Sequence, residues 1–437
     1  MALRISATNP EHPALLLELP WQLPLEEWPE HLLVPLPRGI SRHVVRYARA
    51  GDEVVAVKEL AERPAVREYG LLLGLDRLAI PAVDPLAVVT GRTDAAGGPL
   101  ESVLITRHLG GSLPYRSMFE TTMRPATMHR LMDALAVLLV RLHLAGFAWG
   151  DCSLSNTLFR RDAGAYAAYL VDAETGELHP RLSTGQRDYD LDLARVNISG
   201  ELLDLEAAGA LHPSVDPIEF GQEICARYRG LWEELTRTSV YPAGKYHYID
   251  RRIRRLNDLG FDVAEMQIAS SSNGDTVTFV PKVVDAGHHQ RQLLRLTGLD
   301  TEENQARRLL NDLESWMATQ DDYAPSGPRP GSRPAPGDGH PQAARPEVLA
   351  HRWVRDVFRP TVRAVPQDLR GSMDPAELYH ELLEHRWFLS ERAQHDIGLD
   401  AAVEDYVTNI LPKVRDPLPA PADAPEPPRG YPVPEQR

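Results

Sequence analysis

The feature that most constrains the fold of this chain is the segment 149–159, a polar loop that follows a long apolar helix pattern and leads into a short strand pattern. In this loop Asp151 and Asn156 lie five residues apart. A second strand pattern follows a turn at 162–164 and ends at Leu170-Val171-Asp172. The pattern therefore places one Asp and one Asn on a loop, and a second Asp at the end of a hairpin strand.

These three side chains match what phosphoryl transfer from ATP requires. One carboxylate, Asp151, would orient the attacking hydroxyl and accept its proton. An amide oxygen and a second carboxylate, from Asn156 and Asp172, would hold Mg²⁺ on the phosphates, because Mg²⁺ prefers oxygen ligands. The loop alone is a weak signal, since D-x-x-x-x-N often occurs by chance.

Lys58 provides the next signal, upstream of the loop. It is one of only four lysines among 47 basic residues, and it ends the strand pattern Val54-Val55-Ala56-Val57. The run matches the V-A-x-K signature of a kinase third strand, whose lysine contacts the α- and β-phosphates. Glu68 follows on the next helix pattern and is the expected partner of this lysine, with Glu59 and Glu62 as alternatives.

The four signals occur in one order, with β-rich sequence first and mainly helical sequence afterwards. Residues 36 to about 212 resemble the protein-kinase-like superfamily. They are nearest its lipopolysaccharide (Kdo/WaaP-type) kinases, RIO-type kinases and aminoglycoside phosphotransferases, which share the G-D-x-S-x-x-N loop. The whole chain is similar to an uncharacterised actinobacterial family with a C-terminal domain of unknown function. We expect an α+β, bilobal fold with an N-lobe at 36–110 and a C-lobe at 111–212.

The resemblance implies ATP and Mg²⁺ as cofactors and assigns roles by motif position. Lys58 would bind the phosphates, Glu68 would orient Lys58, and Asp151 would be the catalytic base. Asn156 and Asp172 would bind the metal. The turn at 38–43, with Ser41, would present backbone N–H groups to phosphate, and the hinge at 106–109, with Arg107 and His108, would meet adenine through backbone groups.

The chain also departs from the common kinase pattern. The turn at 38–43 has a single glycine, Trp149 stands where many kinases have histidine, and Ala173-Glu174 follows Asp172. Two functions therefore stay open: a phosphotransferase acting on a hydroxyl acceptor, or a pseudokinase or ATP-binding scaffold whose C-terminal region recruits a partner. The acceptor cannot be read from the sequence. A sugar or lipid head group, a small metabolite and a protein serine are all open.

The rest of the chain divides by composition. Residues 1–35 form an extension, residues 213–320 an accessory α+β domain, and residues 346–415 a helical unit that we expect to dock on the accessory domain. Residues 325–346 hold eleven Pro or Gly in 22 positions, and residues 417–437 hold eight prolines in 21. We expect a disordered linker at 321–345 and a disordered tail at 416–437.

Charge and cysteine content exclude several other classes. The net charge of −15 and pI near 5.5 disfavour nucleic-acid binding. Two distant cysteines give no disulfide framework, and the most apolar stretch, 131–149, is interrupted by charges. We therefore expect a cytoplasmic protein without a transmembrane segment, with a protein partner at the C-terminal region as one option.

Two charged motifs in the C-terminal half carry less information. The run from His380 to His385 resembles a zinc motif, but its second histidine comes one residue late. Residues 251–255 hold four arginines. We interpret both as exposed polar faces.

Overall fold

The computed structural model describes residues 3–7, 16–36, 42–51, 53–119, 125–242, 247–258, 260–270, 276–320, 345–370 and 373–412. Residues 38–41 of the predicted phosphate turn, including Ser41, the tail at 416–437 and the linker apart from Arg345 lie outside the described residues.

The N-lobe is an antiparallel five-stranded sheet in the order β1-β4-β5-β3-β2. Its elements are β1 (Arg4–Ala7), β2 (Val44–Ala50), β3 (Glu53–Leu60), α1 (Glu62–Arg77), β4 (Pro85–Thr90) and β5 (Ser102–Arg107). In β3, Val55 and Val57 are fully buried under the N-terminal extension, which contributes Trp21 and Trp28 to the same core. Because side chains alternate along a strand, Lys58 lies on the opposite face.

The C-lobe is built around one apolar helix. Its elements are β6 (Ser112–Pro114), α2 (Tyr115–Phe119), α3 (Pro125–Leu144), β7 (Phe147–Ala148), β8 (Thr157–Asp162), β9 (Ala165–Leu170), β10 (Glu177–Leu178), α4 (Thr184–Ala207) and α5 (Pro217–Thr236). Leu135, Leu139 and Leu142 of α3 lie in the core that joins both lobes. Strands β6, β8 and β9 form the predicted hairpin with one short neighbour, in the order β6-β8-β9.

The C-terminal half begins with a second antiparallel sheet and continues as helices. Its elements are β11 (Ser239–Pro242), α6 (His247–Asp258), β12 (Phe261–Ser270), β13 (Thr276–Ala286), α7 (His288–Thr297), α8 (Glu303–Met317), α9 (Pro346–Trp353), α10 (Arg359–Ala364), α11 (Gln367–Arg370), α12 (Pro375–Ala393) and α13 (Leu399–Asp405). Short π-helical turns follow α9 and α13. The connection between β12 and β13 lies outside the described residues.

One core crosses the predicted limit between residues 213–320 and 346–415. Leu293 of α7 and Leu309 of α8 share it with Trp353 and Tyr379. The predicted division stays a prediction, but helices α7 to α13 bury one set of side chains. Not every aromatic side chain of the helical unit is covered, since Trp387 is 61% exposed.

The two charged motifs are less exposed than predicted. His380 is buried beside the turn of the β8–β9 hairpin, and Arg252 is buried with its guanidinium bonded to the carbonyls of Glu234 and Arg237. The prediction of exposed faces is therefore wrong for these two residues, because tertiary packing covers them. No helix in the described part of the chain combines the length and hydropathy needed to cross a bilayer.

Candidate active site

Lys58 joins the two lobes through an ion-pair network. Its Nζ lies 2.9 Å from Glu68 Oε2 on α1 and 2.8 Å from Asp172 Oδ2 after β9. Of the alternative partners, Glu59 instead pairs with Arg92 at 2.7 Å, and Glu62 is exposed. The structure thus brings Lys58, Glu68 and Asp172 together, as their order along the chain predicted.

Burial controls the charges in this network. Burial, followed by repulsion from Asp172, raises the pKa of Glu68 to about 7. Burial lowers the pKa of Lys58, but attraction by Glu68 and Asp172 outweighs it, so the pKa lies above its usual value. Burial works against ionised Asp172 too, yet Lys58 holds the pKa of that carboxyl below its usual range. Lys58 and Asp172 are therefore both charged at neutral pH.

Asp151 is held by two carboxamides. Asn156 Nδ2 donates to its Oδ2 at 3.1 Å, and Asn197 Nδ2 donates to its Oδ1 at 3.1 Å. Burial raises the pKa of Asp151, and the Asn156 hydrogen bond opposes that rise. Asn197 lies on α4, 46 residues after Asp151, and no local motif in the sequence identified it.

Two further carboxylates on α4 fix the loop that carries Asp151. Asp190 accepts the backbone N–H groups of Trp149 at 2.8 Å and Gly150 at 2.7 Å. Glu201 accepts the N–H of Leu154 at 2.6 Å. Buried acceptors of backbone N–H groups restrict a loop to one conformation. Sequence reasoning missed both carboxylates, because the long separation along the chain hides their contact.

Trp149, a departure from the common pattern, links the two halves of the site. Its side chain is fully buried, and its Nε1 donates to the backbone carbonyl of Asp172 at 2.8 Å. The indole therefore ties the loop that holds Asp151 to the strand end that holds Asp172.

These residues line a cleft of about 1130 Å³ between the lobes. Lys58, Asp151, Asn156 and Asp172 all border it. Arg107 and His108 of the predicted hinge are not among the lining residues. Their backbone N–H groups donate to the carbonyls of Asp84 at 2.9 Å and Val54 at 3.0 Å. A contact of this hinge with adenine stays a prediction.

Oxygen ligands for a divalent cation converge beside Lys58. One carboxylate oxygen from each of Glu68, Asp172 and Glu174 lies within 4.8 Å of the others. The side-chain N–H groups of Asn156 donate to Asp151, so its amide oxygen is the atom able to bind a cation. An all-oxygen set of this kind suits Mg²⁺. Glu174, whose Oε2 lies 3.0 Å from His43 Nε2, is a site residue that the motif comparison did not assign.

Comparisons with known proteins divide the chain in two. Residues 51–209 match the family model of the lipopolysaccharide kinase (Kdo/WaaP) family, and residues 230–411 match the domain of unknown function DUF4032. A solved structure described as WaaP in complex with acyl carrier protein matches at 13% identity and a TM-score of 0.35. That match covers 59% of this chain and 99% of that chain. No curated protein matches the sequence significantly.

The two family matches agree with the architecture that the motifs predicted. The α+β class is confirmed by the mixed helices and antiparallel sheets of both lobes. The chain therefore joins an N-terminal, kinase-like part that is similar to the lipopolysaccharide kinase (Kdo/WaaP) family to a C-terminal part that matches DUF4032.

Proposed function

We propose that the protein is an ATP- and Mg²⁺-dependent phosphotransferase that transfers the γ-phosphate to a hydroxyl acceptor. The observation that carries this proposal is the convergence of Lys58, Asp151, Asn156 and Asp172 on one cleft. Each of these residues stands at the matching motif position of the kinase family. Positioning and charge neutralisation supply most of the rate enhancement in such reactions.

The nucleotide side of the site is assigned to the Lys58 network. Lys58, held by Glu68 at 2.9 Å, binds the α- and β-phosphates. Asn156 and Asp172 hold the cation through their side-chain oxygens. When bound, Mg²⁺ neutralises phosphate charge. Lys58 already contacts Asp172 at 2.8 Å, so the residues for phosphate and for metal are adjacent before ligand binds.

The acceptor side is assigned to Asp151. Its carboxylate accepts the proton of the acceptor hydroxyl as the new oxygen–phosphorus bond forms and ADP leaves. Asn156 and Asn197 each donate to one carboxylate oxygen, which fixes the plane of the carboxylate. A sugar or lipid head group, a small metabolite and a protein serine each provide the hydroxyl that this arrangement requires.

Nucleotide binding is the direct test of the proposal. A site filled at 100 times its dissociation constant stabilises a protein by about 2.7 kcal/mol. We expect millimolar Mg·ATP to raise the melting temperature of the unaltered chain and to have little effect on Lys58→Met. A folded chain that shows no stabilisation and no calorimetric signal would contradict the proposal.

A nonenzymatic ATP-binding scaffold is the second candidate. It is favoured by the hinge, where the N–H groups of Arg107 and His108 are already bonded within the protein. Incubating the chain with a cell lysate and γ-labelled ATP separates the two functions. Label transferred to an acceptor by the unaltered chain, and not by Asp151→Asn, supports the enzyme. Nucleotide binding with no transfer to any lysate component supports the scaffold.

A further inference from the structure

The β8–β9 hairpin connects the two residues that we assign to the cation. Asn156 precedes β8, and Asp172 comes two residues after β9. The strands pair from Thr157 opposite Leu170 to Asp162 opposite Ala165. At about 3.3 Å per residue, six residues place the tip of this hairpin roughly 20 Å from the proposed metal ligands.

The tip extends beyond its neighbouring strand. Strand β6 pairs only with residues 158–160 of β8. An isolated two-stranded ribbon is marginally stable in water. Helix α3 packs along β9, but the turn at 162–164 and the end of β8 need the support of further contacts to be held in place.

The DUF4032 part supplies that support at Asp162. This carboxylate is 2% exposed. It accepts the N–H of Gln305 at 2.8 Å and both the N–H and Nδ2 of Asn304, at 3.2 Å and 2.9 Å. These N–H groups belong to the first turn of α8, so a kinase-lobe residue caps a helix of the C-terminal part.

Glu377 of α12 holds the turn itself. Its Oε2 accepts the N–H of Ala163 at 2.8 Å and Nε2 of Gln305 at 2.9 Å. Ala163 has φ of 49°, a left-handed conformation that is unfavourable for a residue with a side chain. The bond from Glu377 therefore helps keep the turn in a conformation that it would not favour alone.

Both strands also contact the C-terminal part below the turn. Arg160 of β8 contacts Glu302 at 3.3 Å and Asp374 at 2.8 Å. Tyr169 of β9 donates its hydroxyl to Glu302 Oε1 at 2.6 Å. Glu302 thus bridges the two strands from the side of the C-terminal part.

We infer that the DUF4032 part positions the metal-binding end of the kinase-like site by clamping the tip of the β8–β9 hairpin, with Asp162 and Glu377 as the positioning residues. The inference rests on the proposed function, because it concerns the cation held by Asn156 and Asp172. Because the two strands are paired along their length, a fixed tip also restricts the base of the hairpin. If the tip becomes more mobile, Asn156 and Asp172 can move apart.

The test measures how ADP binding by the full chain depends on Mg²⁺. We expect Asp162→Ala and Glu377→Ala to raise the half-saturating Mg²⁺ concentration about 10-fold, the usual effect of removing a residue that orients a metal ligand. ADP affinity measured in EDTA should stay unchanged, because Lys58 lies outside the hairpin. Glu391→Ala is the matched control, since Glu391 is exposed on the same helix α12.

Hydrogen exchange of residues 157–170 in the nucleotide-free chain provides a second readout. It should become faster in both variants and remain slow in the control. If Glu377→Ala fails to fold, Asp162→Ala carries the test, because it removes the acceptor of the Gln305 and Asn304 N–H groups. Unchanged Mg²⁺ dependence in folded variants would overturn the inference alone. Absence of ADP binding by the unaltered chain would overturn the proposed function and the inference with it.

Discussion

Two clusters of buried charge lie at opposite ends of the β8–β9 hairpin. The cleft cluster comprises Lys58, Glu68, Asp172 and Glu174, and the tip cluster comprises Arg160, Asp162, Glu302, Asp374 and Glu377. Each gathers several carboxylates around one cation. They differ in what the carboxylates face. In the cleft cluster the oxygens converge beside a cavity of about 1130 Å³, whereas Asp162 and Glu377 accept N–H groups from the adjoining part.

The comparison shows that a raised pKa does not by itself mark a functional site. Burial first raises the pKa of Glu68 to about 7, of Asp162 to about 6 and of Glu302 to about 7. Strong shifts therefore occur in both clusters, and structural networks produce them as readily as active sites do. Open volume does not separate the clusters either, because Asp162 and Glu302 border a cavity of about 760 Å³. The separating feature is what the carboxylates bind: Asp162 and Glu377 accept backbone and side-chain N–H groups, whereas oxygens of Glu68, Asp172 and Glu174 converge within 4.8 Å of one another.

The largest expected effect is catalytic and concerns Asp151, which borders the same cavity as the cleft cluster. Asp151→Asn keeps the bond to Asn156 but removes the proton acceptor, so we expect phosphoryl transfer to fall about 10³-fold with ADP binding preserved. A transfer assay with labelled ATP and the acceptor found in lysate measures the change. Asp192→Asn, an exposed substitution on α4, is the control. Equal rates for Asp151→Asn and the unaltered chain would remove the base assignment.

The next effect is the pH dependence of stability. Asp162 and Glu302 have folded-state pKa values of about 6 and 7, above their ordinary 3.8 and 4.5. The folded chain therefore binds more protons than the unfolded chain between pH 4 and 7. The free energy of unfolding should fall as pH rises through this window, by about 3 kcal/mol for each of the two groups.

Urea unfolding at pH 5 and pH 7.5 measures this slope. Asp162→Asn should flatten it, and Glu68→Gln should flatten it as well, since the pKa of Glu68 is also raised. Arg160, Tyr169 and Glu377 face Asp162 and Glu302, and all three are unchanged in Asp162→Asn. Parallel pH profiles for Asp162→Asn and the unaltered chain would refute the assignment of the slope to the tip.

The third prediction compares the removal of the two cations, Arg160 of the tip cluster and Lys58 of the cleft cluster. Arg160→Met removes the cation that pairs with the buried carboxylate of Glu302 and leaves neutral donors such as the Tyr169 hydroxyl, so we expect the free energy of unfolding to fall by about 2 kcal/mol. Lys58→Met leaves carboxylates that border a solvent-filled cleft, so its loss should appear mainly as weaker ADP binding. Chemical denaturation and calorimetry on both variants test the contrast. Equal losses of stability would show that the two clusters have the same role.

The smallest expected effect concerns Asn197. Asn197→Ala removes one of two donors to Asp151 but leaves Lys58 and Asp172 untouched. We expect kcat to fall about 10-fold with the KM for ATP unchanged, because one hydrogen bond to a charged group contributes about 1.5 kcal/mol. Asn197→Asp, which places a second carboxylate beside Asp151, should raise the pH optimum. A change in KM alone would show that Asn197 acts on the nucleotide.

The local parts of the site were predictable from sequence. Lys58, Glu68, Asp151, Asn156 and Asp172 lie on recognisable strand, helix and loop patterns, and the structure brings them to one cleft. Their catalytic and binding roles stay predictions.

What the sequence did not reveal depends on contacts between distant segments. Asp190, Glu201 and Asn197 act from α4 through backbone or side-chain atoms some 40 residues earlier. The start of α8 shows the same limit. The helix begins at Glu303 with a local capping box of Glu302 and Gln305, but Asp162 also accepts its first-turn N–H groups. The contribution of Asp162, more than 140 residues earlier, leaves no pattern in the local sequence.

Arg67, the residue before Glu68, restricts the position of helix α1. Its guanidinium binds the backbone carbonyls of Glu174 and Gly176, and Thr175 Oγ1 donates to the carbonyl of Trp149 at 2.9 Å. Helix α1 cannot swing away from Asp172 without breaking these bonds. Only eleven residues lead from Asp172 to Ser183, where α4 is capped. Under the proposed function, Glu68 and Lys58 would thus be held in place before nucleotide arrives, and the abundance of the chain and of its acceptor would set the rate more than the position of α1.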